Sequence, residues 1–209
     1  MASGTFADSA EMVYVRPPFS SGCASRSDEP LYEIVNGERV ELPSLGVYSS
    51  WIATRLGSRL GPFVEDRSLG TSVIETLFIL NAERNLRRRP DVAFVSAQRW
   101  PLDRRIPETG DWDVVPDLAV EIVSPNDLAT EVHAKVQEYF SHGVSRVWVI
   151  DPDERQVYDY RSPTEVRILR SDNEIEGEDH LPGFRIGVSK LFQPLISEPQ
   201  NQVTILPTA

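Results

Sequence analysis

Two acidic residues occupy unusual positions in apolar segments of this 209-residue chain. Asp91 follows Pro90 and opens the segment DVAFVS, and Glu121 interrupts the nearly continuous apolar segment DLAVEIVS of residues 117–124. Both segments have the composition of buried strands. Two carboxylates on neighbouring strands can hold one hard cation such as Mg²⁺, which prefers oxygen ligands and retains waters. The pair therefore predicts a site for metal-assisted hydrolysis of a phosphodiester.

Each acid also has a purely structural interpretation. Asp91 could cap a strand that begins after Pro90, and Glu121 could pair with a buried arginine. A charge inside an apolar strand is costly unless it is paired or binds metal, so we favour a functional role for Glu121. Asp117 is a second Pro-Asp candidate, but it lies four residues before Glu121, about 13 Å away along a strand. That separation is too long for one ion, so we prefer Asp91.

The elements that must position these acids can be predicted from residue patterns. Asn36-Gly37 predicts a β-hairpin between two short alternating runs, because both residues accept positive φ. Helical spacing predicts a helix over residues 47–60 that Gly61-Pro62 ends. Asn126 or Asp127 is expected to cap a second helix that ends at Gly143. Strands are predicted over residues 71–80, 91–96 and 117–124, and a hairpin over residues 144–161. The order strand, helix, strand over residues 117–150 predicts a crossover unit in an α/β fold.

Composition bounds the class of protein. The hydrophobic content of 40% supports one core. We expect one domain over residues 31–192, with Ser-, Gly- and Pro-rich tails at 1–30 and 193–209. The apolar runs are too short for a membrane span, and no basic region followed by an apolar stretch begins the chain. The solitary Cys23 excludes an internal disulfide and gives no zinc site, so we expect a soluble cytoplasmic protein.

Charge argues against a nucleic-acid partner. The formal net charge is −11, whereas proteins that bind polyanions usually present a basic face. Positive charge is nevertheless clustered in the segment NAERNLRRRPD, which contains Arg84, Arg87, Arg88 and Arg89. These four residues are candidate phosphate contacts, and a solvated charged turn is the alternative interpretation.

Several ordered motifs resemble the Uma-two family of bacterial endonucleases, within the PD-(D/E)XK superfamily. They are RRPDVAFVS, PDLAVEIVSPND, Lys135 with Tyr139 four residues later, and GVSRVWVIDP. YEIVNGE near the start and LPGFRIGVSKLF at residues 181–192 resemble the family's outer landmarks, so the likeness spans about four-fifths of the chain. The resemblance implies a restriction-endonuclease-like fold, with a central mixed sheet flanked by helices, and divalent-metal-dependent phosphodiester hydrolysis.

The resemblance also implies roles for individual residues. Asp91 corresponds to the Pro-Asp acid, Glu121 to the second metal-binding acid, and the backbone carbonyl of Ile122 to a third ligand. The superfamily's usual lysine, two residues after the second acid, would fall on Val123, which is a departure. In this family the lysine lies on the following helix, where Lys135 matches it. Its ammonium could orient the attacking water or neutralise charge that develops on the phosphate.

Two of these assignments have alternatives. Lys135 shares one helical face with acidic residues and His142, and an exposed salt-bridged stripe would have the same pattern. Glu33 matches an early glutamate of the family and could complete the metal site or order its water, or it could be a surface residue of the hairpin. The family often has a histidine at the start of its first helix, and residues 45–48 lack one. His133 and His142 do not have a metal-ligand spacing and receive no role.

Three hypotheses for function follow. The leading one is an Mg²⁺- or Mn²⁺-dependent endonuclease that acts on DNA, for which we expect a homodimer because cutting two strands favours two sites. The second is a catalytically inactive interaction or structural module with the same fold, which the acidic balance, the long tails and the missing lysine favour. The third, a hydrolase of a substrate other than nucleic acid, has no support beyond the net charge.

Overall fold

The computed structural model of the protein describes residues 30–43, 46–108, 110–125 and 127–193. The predicted tails, apart from Pro30 and Gln193, lie outside the described residues, as do Cys23 and Asn126. In chain order the elements are β1 (Tyr32–Val35), β2 (Glu38–Glu41), α1 (Val47–Asp66), β3 (Gly70–Ile74), β4 (Phe78–Asn81), β5 (Leu86–Arg88), β6 (Val92–Ser96), β7 (Leu118–Ile122), α2 (Ala129–Ser141), β8 (Arg146–Asp151), β9 (Gln156–Ser162), β10 (Glu165–Leu169), β11 (Glu174–Glu176), β12 (Arg185–Gly187) and α3 (Val188–Phe192).

A six-stranded mixed sheet is the centre of the fold, with its strands in the order β10-β9-β8-β7-β6-β3. β7 and β8 are parallel, and the other neighbouring pairs of this sheet are antiparallel. A parallel pair needs a long connection, and here α2 supplies it. The predicted crossover unit, the hairpin of β8 and β9, and the α/β class with a central mixed sheet are confirmed.

Side chains alternate between the two faces of the central strands and so form two cores. Val92 and Val120 pack with α1 on one face. Ala93 and Ala119 pack with α2 on the other face. Because both faces are covered, β7 is apolar at nearly every position. A carboxylate on this strand therefore points into one of the two helix-covered layers.

A second sheet contains four short strands in the order β2-β1-β5-β4. β1 and β2 form the predicted hairpin, in which Asn36 and Gly37 have φ values of 53° and 83°. β1 also pairs with β5 in antiparallel register, with Ile34 opposite Arg87. The same register sets Glu33 opposite Arg88, so this small sheet brings two charged residues together.

The prediction of one strand over residues 71–80 is wrong, because this segment contributes β3 to the large sheet and β4 to the small one. Glu75, between them, has a φ of 49°, a left-handed conformation that interrupts extended pairing. The arginine-rich segment that follows is also more than a link, since residues 86–88 form β5 and pair with both β4 and β1.

α1 is longer than predicted, because it continues through Pro62 to Asp66. Proline inside a helix removes one backbone hydrogen bond. Buried Val64 and the packing of Phe63 against the core offset this cost and hold the last turn in place. Although α1 has 20 residues, no helix in the described part of the chain is apolar enough to cross a membrane.

The start of α2 also differs from the prediction. Leu128 is the N-cap residue, and no side chain caps the helix there. The Asp127 carboxylate instead accepts a hydrogen bond of 2.8 Å from the backbone N–H of Ser124. Asp127 therefore stabilises the turn that leaves β7 rather than the first turn of the helix.

Replacement of Gly70 by Ala should destabilise the fold strongly. Gly70 has a φ of +154°, and a Cβ there would lie 2.1 Å from the carbonyl oxygen of Val95 on β6. Backbone strain in this region costs about 1–3 kcal/mol before the steric clash is added. We expect urea denaturation to show a loss of at least about 3 kcal/mol. The matched Gly46→Ser variant, at the N-cap of α1 where a Cβ meets nothing within 4 Å, should be as stable as the wild type or slightly more so.

Candidate active site

Strand register brings the two predicted acids together at one end of the central sheet. Val92 on β6 lies opposite Val120 on β7, so the next pair outward is Asp91 and Glu121. Because Val92 and Val120 face α1, the alternation of side chains places both carboxylates on the α2 side. Asp91 and Glu121 accordingly line one small cavity together with Lys135.

Glu121 is buried, with 8% of its surface exposed, and both of its carboxylate oxygens have partners. The Tyr139 hydroxyl donates a hydrogen bond of 2.5 Å to Oε1, and the Lys135 ammonium donates one of 3.0 Å to Oε2. The two donors are one helical turn apart on α2 and so project from the same face. A single helix thus satisfies the carboxylate that interrupts β7.

Burial shapes the protonation of this trio. Burial raises the pKa of Glu121, although the positive charge of Lys135 and the Tyr139 hydrogen bond act in the opposite direction. Burial disfavours the charged form of Lys135, but the charges of Glu121 and Glu33 outweigh it and raise the pKa of Lys135 above its usual value. Burial and the neighbouring Glu121 also raise the pKa of Tyr139. Lys135 therefore stays an ammonium, and Tyr139 stays a hydrogen-bond donor.

Asp91 accepts a hydrogen bond of 2.6 Å from the backbone N–H of Ile122 to its Oδ2 atom. Burial, followed by the negative charge of Glu121, raises the pKa of Asp91 to about 8. The N–H and C=O groups of a strand residue point to the same side. The carbonyl of Ile122 therefore faces the same edge as Asp91, beyond the start of β6.

Glu33 reaches this cluster from the small sheet and is buried, with 1% of its surface exposed. Its Oε2 accepts a hydrogen bond of 2.6 Å from Arg88, and its Oε1 lies 3.5 Å from the Lys135 ammonium. Arg88 also binds Glu138 of α2 at 2.7 Å. Glu33 is thus not a surface residue of the hairpin, and Lys135 is not part of an exposed stripe.

The cluster has more negative than positive charge. Four carboxylates belong to it, those of Glu33, Asp91, Glu121 and Glu138, whereas Arg88 and Lys135 supply two cations. Full ionisation would leave an excess of two negative charges in a partly buried site. A proton on Asp91 removes one of them, and a divalent cation would balance both.

The donor set fits a hydrated divalent cation. Asp91, Glu121 and the Ile122 carbonyl offer hard oxygen atoms, and Mg²⁺ commonly binds one or two carboxylates and keeps several waters. Glu33 is directed at Arg88 and Lys135 and so does not join these ligands. Among the described residues, no group of three or more His, Cys, Asp or Glu side chains is arranged to hold a metal. A site built on two carboxylates and a carbonyl is consistent with that.

The four candidate phosphate-binding arginines have different surroundings. Arg84 is exposed in the β4–β5 turn. Arg87 pairs with Asp111 at 2.6 Å. Arg88 is buried inside the site, and Arg89 donates hydrogen bonds to the backbone carbonyls of its neighbours. Arg87, Arg88 and Arg89 therefore use their charge within the protein, and Arg84 is the one of the four that the fold leaves at the surface.

Asp117, the other Pro-Asp residue, has a structural role at the opposite end of β7. Its carboxylate accepts a hydrogen bond of 2.6 Å from the Ser96 backbone N–H and pairs with Arg99 at 3.0 Å. The choice of Asp91 over Asp117 agrees with this geometry. His133 on α2 contacts Gln137, and His142, the C-cap residue of α2, contacts the backbone carbonyl of Glu138.

Sequence reasoning missed three parts of the site. The sequence predicts Arg88 as a phosphate contact, whereas in the structure it pairs with Glu33 and Glu138. Tyr139 was part of a motif without a role, although its hydroxyl binds Glu121. Glu138 and Tyr139 follow Lys135 at three and four residues, which places all three on adjacent positions of one helical face. This spacing is the feature of the sequence that could have identified Glu138 and Tyr139 as members of the site.

The family resemblance is confirmed by comparison with known proteins. Residues 19–189 match the model of the Uma-two (Uma2) family, described as "Putative restriction endonuclease". The fold is similar to the crystal structure, at 1.96 Å resolution, of "a putative nuclease belonging to DUF820" from Anabaena variabilis ATCC 29413. The two chains are 23% identical with a TM-score of 0.65, over 78% of this chain and 90% of that chain. The likeness shows a shared fold, and no curated protein matches the chain.

Replacement of Asp91 by Asn should change how stability depends on pH. Asparagine keeps an oxygen for the Ile122 N–H but cannot ionise. Because the pKa of Asp91 rises from 3.8 to about 8 on folding, the metal-free protein takes up a proton when it folds between those values. Its stability therefore falls as pH rises through this window. We expect thermal melts from pH 4 to pH 8 to show a wild-type loss that exceeds the loss of the variant by about 1–3 kcal/mol.

Mg²⁺ should raise the melting temperature of the wild type more at pH 8 than at pH 5, because proton and metal compete for Asp91. Asp91→Asn should respond little at either pH. The Asp103→Asn variant, at an exposed position, should keep the wild-type response. Equal metal responses of Asp91→Asn and wild type would show that Asp91 is not a ligand.

Proposed function

We propose that this chain, which belongs to the Uma-two family, is a divalent-metal-dependent endonuclease that hydrolyses phosphodiester bonds in DNA. The observation that carries the proposal is the convergence of Asp91 and Glu121 on one cavity with the Lys135 ammonium beside them. The family description and the likeness to a nuclease fold support the same reaction class.

Asp91, Glu121 and the carbonyl of Ile122 would hold the cation, Mg²⁺ or Mn²⁺. When bound, such a cation polarises the scissile phosphate and makes its bound water more acidic. Asp91 must lose its proton to serve as a ligand. Its raised pKa therefore links the competence of the site to pH, with the competent form favoured above about 8 in the absence of a cation.

Lys135 supplies the positive charge of the proposed site. Its ammonium lies 3.0 Å from Glu121 and 3.5 Å from Glu33, so two carboxylates fix its position. It can orient a water for attack, or it can stabilise charge that develops on the phosphate oxygens. Because these carboxylates raise its pKa, it performs either role as a cation and not as a base.

Glu33 and Arg88 are positioning residues. Glu33 accepts hydrogen bonds from the Arg88 guanidinium at 2.6 Å and from the Arg89 backbone N–H at 3.0 Å. These contacts hold the Glu33 carboxylate where it can also attract Lys135. Arg88 in turn is fixed by Glu138 on α2. The small sheet thereby restricts the motion of Lys135, and preorganisation of this kind lowers the barrier for a charged transition state.

DNA as the substrate, action in the cytoplasm and a homodimer belong to this proposal. Arg84, exposed near the small sheet, is the phosphate contact that we retain from the arginine cluster. Cleavage assays with plasmid DNA and with oligonucleotides of DNA and RNA distinguish the two substrates. Light scattering of the purified protein gives its oligomeric state.

Replacement of Glu121 by Gln should abolish cleavage while the fold is preserved. Glutamine has nearly the same shape but neither the charge that attracts a cation nor the charge that pairs with Lys135. We expect Mg²⁺- or Mn²⁺-dependent cleavage of plasmid and oligonucleotide DNA to fall by a factor of about 10² to 10⁴. Glu154→Gln, at an exposed position of the turn between β8 and β9, is the matched control and should retain activity. If wild type and Glu121→Gln cleaved DNA equally, the protein would be better described as a catalytically inactive module of the same fold.

Replacement of Lys135 by Met should lower kcat by about 10² to 10³ with a smaller change in KM, because the ammonium acts on charge that develops during the reaction. Lys190→Met, at an exposed position of α3, is the control and should behave as wild type. The raised pKa of Lys135 keeps the ammonium charged in mildly alkaline solution. The kcat of the wild type should therefore not decline between pH 8 and pH 10 through loss of this proton, and a decline that Lys135→Met abolishes would contradict the assignment.

A further inference from the structure

A cavity of about 460 Å³ lies beside the carboxylate cluster, between the β1–β2 hairpin and α2. It is within the size range of small-molecule sites and far larger than a single water requires. Its walls are mainly aliphatic, and the apolar residues that line it include Val35, Val40, Leu42, Val123, Val132 and Ala134. Val40 has 45% of its surface exposed. The protein therefore keeps apolar surface open directly next to the carboxylate cluster.

The polar groups of the cavity specify the chemistry of a ligand. Among the described residues that line it, both cations are occupied, because Arg88 binds Glu33 and Glu138 and Lys135 binds Glu121. The carboxylates of Glu41, Asp127 and Glu131 also line it. Carboxylates accept hydrogen bonds from amino and ring N–H groups and repel phosphate. The lining suits a flat, largely apolar group with N–H donors at its edge.

The cavity is continuous with the proposed reaction centre. Glu121, Ile122 and Lys135 line both this cavity and the smaller one that contains Asp91. A ligand in the large cavity is thus adjacent to the carboxylates that would hold the cation. A nucleotide has the required form, since an apolar base with N–H donors is joined through a sugar to the phosphate.

We propose that this cavity is a nucleobase pocket, so that the substrate is an unpaired nucleotide in single-stranded or locally opened DNA. The inference rests on the proposed function and narrows its substrate class. A base in a duplex is stacked and paired, and bringing it into a side pocket costs a few kcal/mol. A single strand avoids that cost and can place one base between the aliphatic walls while its phosphate lies at Asp91 and Glu121.

The distribution of charge favours the same substrate. Arg87, Arg88 and Arg89 are held by internal partners, and the chain has a net charge of −11. Contacts of Lys and Arg side chains with the phosphate backbone give most nucleases their affinity for nucleic acid, and they make that affinity depend steeply on salt. Burial of the apolar surface of a base contributes affinity that salt affects little. The binding of a single strand should therefore change weakly with salt, with a log–log slope between about 0 and −2.

The test measures binding without cleavage, in the Glu121→Gln protein with Mg²⁺ present. Fluorescence anisotropy compares three labelled probes, which are a ten-nucleotide deoxyadenosine strand, the duplex of that strand with its complement, and a ten-nucleotide strand of abasic sugar phosphates. We expect the single strand to bind at least 10-fold more tightly than either the duplex or the abasic strand.

Substitutions locate the pocket. Val132→Trp, made in the Glu121→Gln background, should fill the cavity and remove the preference for the single strand over the abasic strand. Ala134→Phe should also fill the cavity and remove this preference. Because position 134 is exposed on the helix, the substitution should not disturb packing. Thr130→Trp, exposed on the same helix and outside the cavity lining, is the control and should keep the preference. Circular dichroism and melting curves show that each variant is folded.

The outcomes separate the two proposals. Equal binding of single strand, duplex and abasic strand, or a preference that Ala134→Phe leaves intact, would overturn the nucleobase pocket. Cleavage of duplex and single strand by the wild type at equal rates would do so as well, while the proposed endonuclease function stands. If base-dependent binding is found but the wild type cleaves none of these substrates with Mg²⁺ or Mn²⁺, the pocket stands and the endonuclease function fails.

Discussion

The burial of one carboxylate, that of Glu121, is the constraint on which the rest of the site depends. β7 is covered on both faces, so a charge there loses its hydration and must find partners inside the protein. Tyr139 and Lys135 supply them from α2. The crossover between the parallel strands β7 and β8 is therefore more than a connection. It places α2 so that the polar face of this helix provides hydrogen bonds to Glu121. The connection that the fold requires therefore also stabilises the site.

Compensation of that charge extends across the molecule and ties the two sheets together. Lys135 carries one positive charge but approaches two carboxylates, so Glu33 needs a second cation, which Arg88 supplies. Arg88 then returns to α2 through Glu138. Removal of Arg88 would leave the buried Glu33 with Lys135, 3.5 Å away, as its remaining cation, and loss of a partner costs about 3–5 kcal/mol in typical buried pairs. The network thus specifies how the small sheet docks on α2, beyond what apolar contacts determine.

Local patterns predict several of the elements that position the site, but not β5, which carries Arg88. The nearly continuous apolar runs of β6 and β7 identified the strands of Asp91 and Glu121, and the Asn36-Gly37 turn identified the first hairpin. Contacts between distant segments were beyond such patterns. Arg88 is 55 residues from Glu33, and nothing in the arginine run distinguishes the buried member from its exposed neighbours. The left-handed backbone at Glu75 was likewise invisible, because glutamate carries no local preference for that conformation.

The acidic composition is compatible with a phosphate-cleaving site once distance is considered. At physiological ionic strength, exposed charges more than about 8 Å apart are largely screened, so the net charge of −11 acts weakly at a distance, and the groups around the site decide how it meets a phosphate. Within the cluster, low solvent exposure weakens that screening, and an excess of carboxylates concentrates divalent cations. In the proposed reaction, a phosphate at the site would meet a cation and the Lys135 ammonium rather than bare carboxylates. The carboxylates that contribute to the acidic net charge would thereby supply the ligands for the cation that attracts the phosphate.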